Sequence, residues 1–172
     1  MTAHEFPLVP GQSAASCGTS ACRSPLSEVS TKDKVIAPEV GESLAALAKA
    51  GPPTEGGNAI HPDAKGNLYI DPKVFPAAVA ADLPPEIAKH LANSQLPLNH
   101  VAFEAPVSVA AWHDKPTFYV ISTKDKVLAP EAQKSFAARI KAQTTEVAGS
   151  HASLVVHAKQ VAEVIEKASL VK

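Results

Sequence analysis

Cysteine is nearly missing. The 172-residue chain has two, Cys17 and Cys22, too few for a disulfide framework and with no second Cys or His pair nearby to complete a chelate. An excess of either charge is missing too. The 16 Lys plus Arg against 17 Asp plus Glu leave a formal charge of −1, without the clustered cations that binding to nucleic-acid phosphates demands. No apolar run approaches the ~20 residues that span a bilayer. No Lys or Arg precedes Arg23, and no apolar block of signal-peptide length is present, so the expected location is cytoplasmic, with no membrane partner. His4, His61, His90, His100, His113 and His157 show neither H-x-x-x-H nor H-E-x-x-H spacing. A zinc site needs three or four converging ligands, so no metal or other cofactor is expected.

What remains is ordinary globular material, 45% hydrophobic and 19% charged, of a length that fits one domain. Fifteen prolines and eight glycines exclude a long-helix protein. The chain is not uniform. Residues 1–36 are rich in Ser, Ala, Thr, Pro and Gly, without apolar periodicity. They bury too little to offset their ordering entropy and read as a disordered or rearranged tail. A helix is expected from Glu39 to Ala50, with Leu44, Leu47 and Ala48 at helical spacing and Gly51-Pro52-Pro53 as the stop. Turns fill residues 51–73, around a short strand or hairpin arm at Leu68-Tyr69-Ile70. Two short helices split by Pro84-Pro85 fill residues 74–95.

The last sixty or so residues carry the clearest order. Thr117-Phe118-Tyr119-Val120-Ile121-Ser122 is a β-branched and aromatic run, expected as a buried strand. The turn Thr123-Lys124-Asp125-Lys126 follows. Pro130 suits a first helical position and Glu131 the helix dipole, and the helix is expected to reach about Gln143. Thr144-Thr145-Glu146-Val147 reads as a second strand, Gly149-Ser150-His151 as a loop, and Val161, Val164, Ile165 and Ala168 as the apolar face of a final helix. Strands alternating with helices imply parallel α/β units, whose functional groups gather just beyond the carboxyl ends of the strands. Asp125 and His151 both fall there.

The segment from Ala111-Trp112 through Lys115-Pro116-Thr117-Phe118-Tyr119-Val120-Ile121-Ser122-Thr123-Lys124-Asp125-Lys126-Val127-Leu128-Ala129-Pro130, with Gly149-Ser150-His151-Ala152-Ser153, resembles the end of an α/β-hydrolase. More narrowly, it resembles the esterase-like group related to methyl-salicylate esterases and hydroxynitrile lyases. Ala37-Pro38-Glu39-Val40-Gly41-Glu42-Ser43-Leu44 is similar to that group's loop and helix after the sixth strand. Phe75, Ala81-Asp82-Leu83-Pro84 and Ser94-Gln95-Leu96-Pro97 are similar to its cap. The resemblance covers residues 37–172, with the cap at about 74–111. It implies a partial α/β-hydrolase fold: the carboxyl-terminal strands and helices plus a helical cap, lacking the first strands of the sheet. It implies Asp125 as the acid and His151 as the base of a serine-type centre, with a small carboxylic ester as substrate. Taken singly, Asp125 reads as a turn residue between two lysines and His151 as a loop histidine. As a pair, 151 − 125 gives a separation of 26 residues, room for one helix and one strand.

The nucleophile motif departs from this pattern. A G-x-S-x-G elbow is absent from the chain. Gly11-Gln12-Ser13-Ala14-Ala15 comes nearest, with Ala15 in place of the second glycine, after a segment, Phe6-Pro7-Leu8-Val9-Pro10, whose prolines suit a central strand poorly. One repeat bears on the same question. Ser30-Thr31-Lys32-Asp33-Lys34-Val35-Ile36-Ala37-Pro38-Glu39 matches the ten residues from Ser122 to Glu131 at nine positions, and 122 − 30 gives a period of 92. Nothing flanking it repeats, so this is no solenoid. Asp33 copies Asp125 without a strand before it, and the first copy reads as a splice near Ala37 rather than a second acid. Two function classes stay open: an esterase-lineage chain weakly active or inactive alone, and a non-catalytic remnant or association module. A lyase is a third, weaker reading. Missing strands are expected to expose Val120 and Ile121 and to favour self-association through a sheet edge.

Overall fold

A computed structural model describes residues 38–171. The tail at 1–36, with Ser13, Cys17, Cys22, Asp33 and the expected strand around Val35, lies outside the described residues. The described part belongs to one unit, Lys32–Lys172.

The first helix, α1 (Leu44–Ala50), starts later than its periodicity suggests. Gly41 takes φ +89°, a left-handed conformation that bends the chain before the helix. Ser43 then caps it, its hydroxyl accepting from the Ala46 amide at 3.2 Å. A one-turn helix, α2 (Glu55–Asn58), which sequence periodicity is too short to reveal, is capped by Thr54. The hairpin arm is real and larger than expected. β1 (Ile60–Pro62) pairs antiparallel with β2 (Asn67–Ile70), which also pairs antiparallel with β3 (Leu98–Asn99). Between β2 and β3 stand the two short helices, α3 (Phe75–Ala78) and α4 (Pro85–Asn93), separated by Pro84-Pro85 as expected. The Gln95 side chain closes this region. It donates to the Ile70 carbonyl at 2.9 Å and accepts from the Ile70 amide at 3.1 Å, as a neighbouring strand would. A short helix, α5 (His100–Glu104), follows β3.

The expected parallel unit is present. β4 (Phe118–Ser122) pairs in parallel with β5 (Gln143–Val147), from Phe118↔Gln143 to Ser122↔Val147. The connecting helix, α6 (Pro130–Arg139), stops short of Gln143. Lys141 adopts φ +51° and turns the chain, so Gln143 opens the strand instead of closing the helix. The final helix is broken into α7 (Ser153–Val156) and α8 (Ala158–Ser169).

Alternation along β4 decides its two faces. Tyr119 and Ile121 point into a core with Leu47 of α1 and Phe136, Ala137 and Ile140 of α6 and its cap. Ile121 is therefore buried, 2% exposed, against the expectation that missing strands leave it bare. The helix that covers it comes from the same α/β unit, so its burial does not depend on further strands. Val120 is half-buried. A second cluster joins Phe75, Val79, Ala80, Ala88 and Ala92, with Val127 and Ala152 packed against it. These last two belong to the loops after β4 and β5, so the helical segment 75–92 rests directly on both loops.

Candidate active site

The parallel register brings the two strands to a common end, with Ser122 beside Val147. Backbone pairing continues past them: the Thr123 amide donates to the Val147 carbonyl at 2.9 Å, and the Lys124 amide to the Gly149 carbonyl at 3.1 Å. Two loops leave this edge together, one bearing Asp125 and the other His151. The His151 Nδ1 lies 3.1 Å from Asp125 Oδ1 and 3.0 Å from Oδ2. Both separations fall within hydrogen-bond reach. The Asp125 side chain is wholly buried, and the His151 ring keeps 30% of its surface in solvent.

Three donors and the imidazole surround the Asp125 carboxylate. Oδ1 accepts from the Val127 amide at 2.8 Å and the Leu128 amide at 3.1 Å. Oδ2 accepts from the Gln133 side chain at 2.9 Å. Such a shell suits an ionised carboxylate, which can only accept. Facing such a carboxylate, Nδ1 of His151 is the ring nitrogen placed to donate, and Nε2 points away from Asp125. Gln133 is itself 0% exposed. It also accepts from the Ser122 amide at 3.0 Å and donates to the Leu128 carbonyl at 2.8 Å, locking the strand end to the acid loop. Sequence reading missed Gln133. Its one signal is a place three residues after Pro130, on the turn of α6 that faces the loop.

The rest of the bracing comes from distant sequence. Thr54 donates to the Val127 carbonyl at 2.7 Å, and the Gly56 amide to the Lys126 carbonyl at 2.8 Å. A Cβ on Gly56 would stand 2.6 Å from Val127 Cγ2, which explains the glycine. The histidine loop is held by Val79 and Asp82. Behind it, the buried Ser122 and Ser153 hydroxyls share a 2.6 Å hydrogen bond. The Tyr119 hydroxyl is buried, with no partner among the described residues. Burial, helped by the nearby Asp125 charge, pushes its ionisation far above the usual range.

Trp112 packs against the core beside β4, and its indole N–H donates to the Pro38 carbonyl at 3.2 Å. His113 stacks on it and binds Glu39. Among the described residues no group of three or more His, Cys, Asp or Glu could hold a metal ion. No helix among them is long and apolar enough to cross a membrane. An open groove of about 440 Å³ runs along α6 and β5, lined by Lys134, Ala138, Lys141 and Glu146 among others, and neither Asp125 nor His151 borders it.

No curated protein matches the sequence. Among solved structures, the fold is similar to the crystal structure of a pyrethroid hydrolase, PytH, with a TM-score of 0.57 and 18% identity. The match covers 76% of this chain and 56% of that one, so this chain spans little more than half of that protein's length. At that identity the likeness is one of fold. It is a partial α/β-hydrolase fold, with the strand–helix–strand end that carries Asp125 and His151. The profile of the Alpha/beta hydrolase family matches residues 18–164, beginning earlier than the 37–172 over which the motifs alone carry a resemblance. The chain belongs to the alpha/beta hydrolase family.

Proposed function

We propose that Asp125 and His151 are the acid and base of a serine-type carboxylic ester hydrolase, of the group related to methyl-salicylate esterases and hydroxynitrile lyases. We propose further that this chain alone is weakly active or inactive. The observation that carries the reading is the buried Asp125 carboxylate, held by three donors and set against Nδ1 of a partly exposed imidazole. In such a centre His151 Nε2 takes the proton of an attacking hydroxyl and later returns it to the leaving alcohol. Asp125 fixes the tautomer and stabilises the imidazolium that forms between the two steps. The segment at about 74–111 serves as the cap, and its position against Val127 and Ala152 supports that assignment. The weak activity follows from the sequence, which supplies no G-x-S-x-G elbow. Removing one oxyanion donor costs on the order of 100–1,000-fold, so a chain without nucleophile and oxyanion hole retains little beyond imidazole reactivity.

The test is hydrolysis of p-nitrophenyl acetate by the chain and its His151→Ala variant, with fluorophosphonate labelling. Equal rates and no labelled serine are expected. An acyl-enzyme burst with labelling at Ser13, abolished in both Ser13→Ala and His151→Ala, would restore a full triad and refute the weak-activity half. A burst that survives both substitutions would refute the serine-type assignment itself.

A further inference from the structure

The Asp125 hydrogen bond fixes the tilt of the His151 ring, but the ring's position is set by the backbone on either side of it. Both neighbours of His151 are tied to one short segment between α3 and α4. The Ser150 amide donates to Asp82 Oδ2 at 2.7 Å, and the Ser150 hydroxyl reaches Asp82 Oδ1 at 2.5 Å and the Val79 carbonyl at 2.9 Å. On the far side, the Ala152 amide donates to the Val79 carbonyl at 2.8 Å. Ser150 is 1% exposed, while Asp82 is partly exposed, so the serine side of the clamp is the one shielded from water.

The chemistry suits a carboxylate. A backbone N–H and a hydroxyl on one residue present two donors side by side, and a carboxylate offers two acceptors at matching separation. An asparagine would keep both contacts only by turning the Ser150 hydroxyl from donor to acceptor, and it would lose the charge that strengthens them. We infer that Asp82 is a positioning residue for His151, fixing the loop so that the imidazole meets Asp125. Its catalytic meaning rests on the ester-hydrolase reading above, but its physical content does not. The sequence points the same way, since Ala81-Asp82-Leu83-Pro84 is part of the segment that resembles a cap. The structure adds that Asp82, 68 residues before Ser150, holds the histidine loop directly.

The test reads the ring itself. In the full chain, exchange with water of the His151 Nδ1 proton is measured by nuclear magnetic resonance, beside cooperative thermal unfolding, for wild type, Asp82→Ala and Ser150→Ala. Asp82→Ala is expected to exchange about 10–100-fold faster, the equivalent of losing a hydrogen bond to a charged group. Ser150→Ala keeps the amide bond to Asp82 and is expected to show a smaller acceleration. A lower melting temperature with unchanged exchange would make Asp82 merely structural and overturn the inference. Should Asp82→Ala fail to fold, Ser150→Ala decides, and unchanged exchange there overturns it equally. The readout needs no turnover. An absence of esterase activity would therefore count against the proposed function and leave the positioning role to be judged by exchange alone.

Discussion

Replacing Gln133 with methionine isolates what holds the acid loop. Methionine is close to glutamine in length and volume, so no large cavity forms and the loss is one of hydrogen bonds. The Ser122 amide loses its 3.0 Å acceptor, and the Leu128 carbonyl and Asp125 Oδ2 lose donors at 2.8 and 2.9 Å. A buried group left unsatisfied costs about 1–3 kcal/mol, and a hydrogen bond to a charged group contributes about 1.5–3 kcal/mol. These do not simply add, because the loop relaxes and methionine regains some apolar burial; a net loss of about 2–4 kcal/mol is expected. That is below the ~5–15 kcal/mol typical of a folded domain, so the variant should still fold. With a urea slope of about 2 kcal/mol per molar, the midpoint should fall by roughly 1–2 M with the slope unchanged. Gln133→Glu is the companion. It keeps the size but sets a second carboxylate against Asp125, so near neutral pH it should be less stable than Gln133→Met and recover as acid protonates the pair. A Gln133→Met midpoint indistinguishable from wild type would refute the account of Gln133 as the link between strand end and acid loop.

Three further outcomes are expected. Asp125→Asn keeps the shape but puts an amide against His151, and ¹⁵N spectra should show the ring shifting toward the Nε2–H tautomer; retention of Nδ1–H would contradict the assigned pair. Gly149→Ala places a Cβ 2.7 Å from Ser153 Cβ and 2.8 Å from His157 Cδ2, so calorimetry should show a loss of about 1–3 kcal/mol, and a neutral variant would mean the loop yields freely. For Asp82, burial alone raises the carboxyl, but the hydrogen bonds from the Ser150 hydroxyl and amide outweigh it and hold the group below its ordinary value. The unfolded chain then binds the extra proton. The stability from this group is complete above the ordinary value of about 3.9 and fades as pH falls through the lower folded value. The stability gap between wild type and Asp82→Ala, from denaturation at stepped pH, should therefore be full at neutral pH and close in acid. A gap of constant size would refute the linkage.

Local chemistry was enough to determine the parallel unit and the pair it carries. The run from Phe118 to Ser122 has no good alternative to a strand, Pro130 and Glu131 open a helix, and Thr144 to Val147 return as a strand. That order places Asp125 and His151 at one sheet end before any contact is known. Pattern also gave the helices around Pro84-Pro85. It could not end α6, because the turn depends on Lys141 taking a left-handed conformation that no composition signal marks. Nor could it place β1 and β3, two or three residues each, which exist because β2 lies between them. The shell around the pair was beyond sequence for a different reason. Gln133, Thr54, Gly56 and Asp82 are ordinary helix, turn and cap residues in a one-dimensional reading. They bear on Asp125 and His151 only because packing of segment 75–92 on the two loops, through Val127 and Ala152, carries residues far apart in the chain to within hydrogen-bond distance. Strand and helix propensities act over a few neighbours, and so fix where the Asp125 and His151 side chains emerge. Their orientation is a property of long-range hydrogen bonds, which only the folded chain can form.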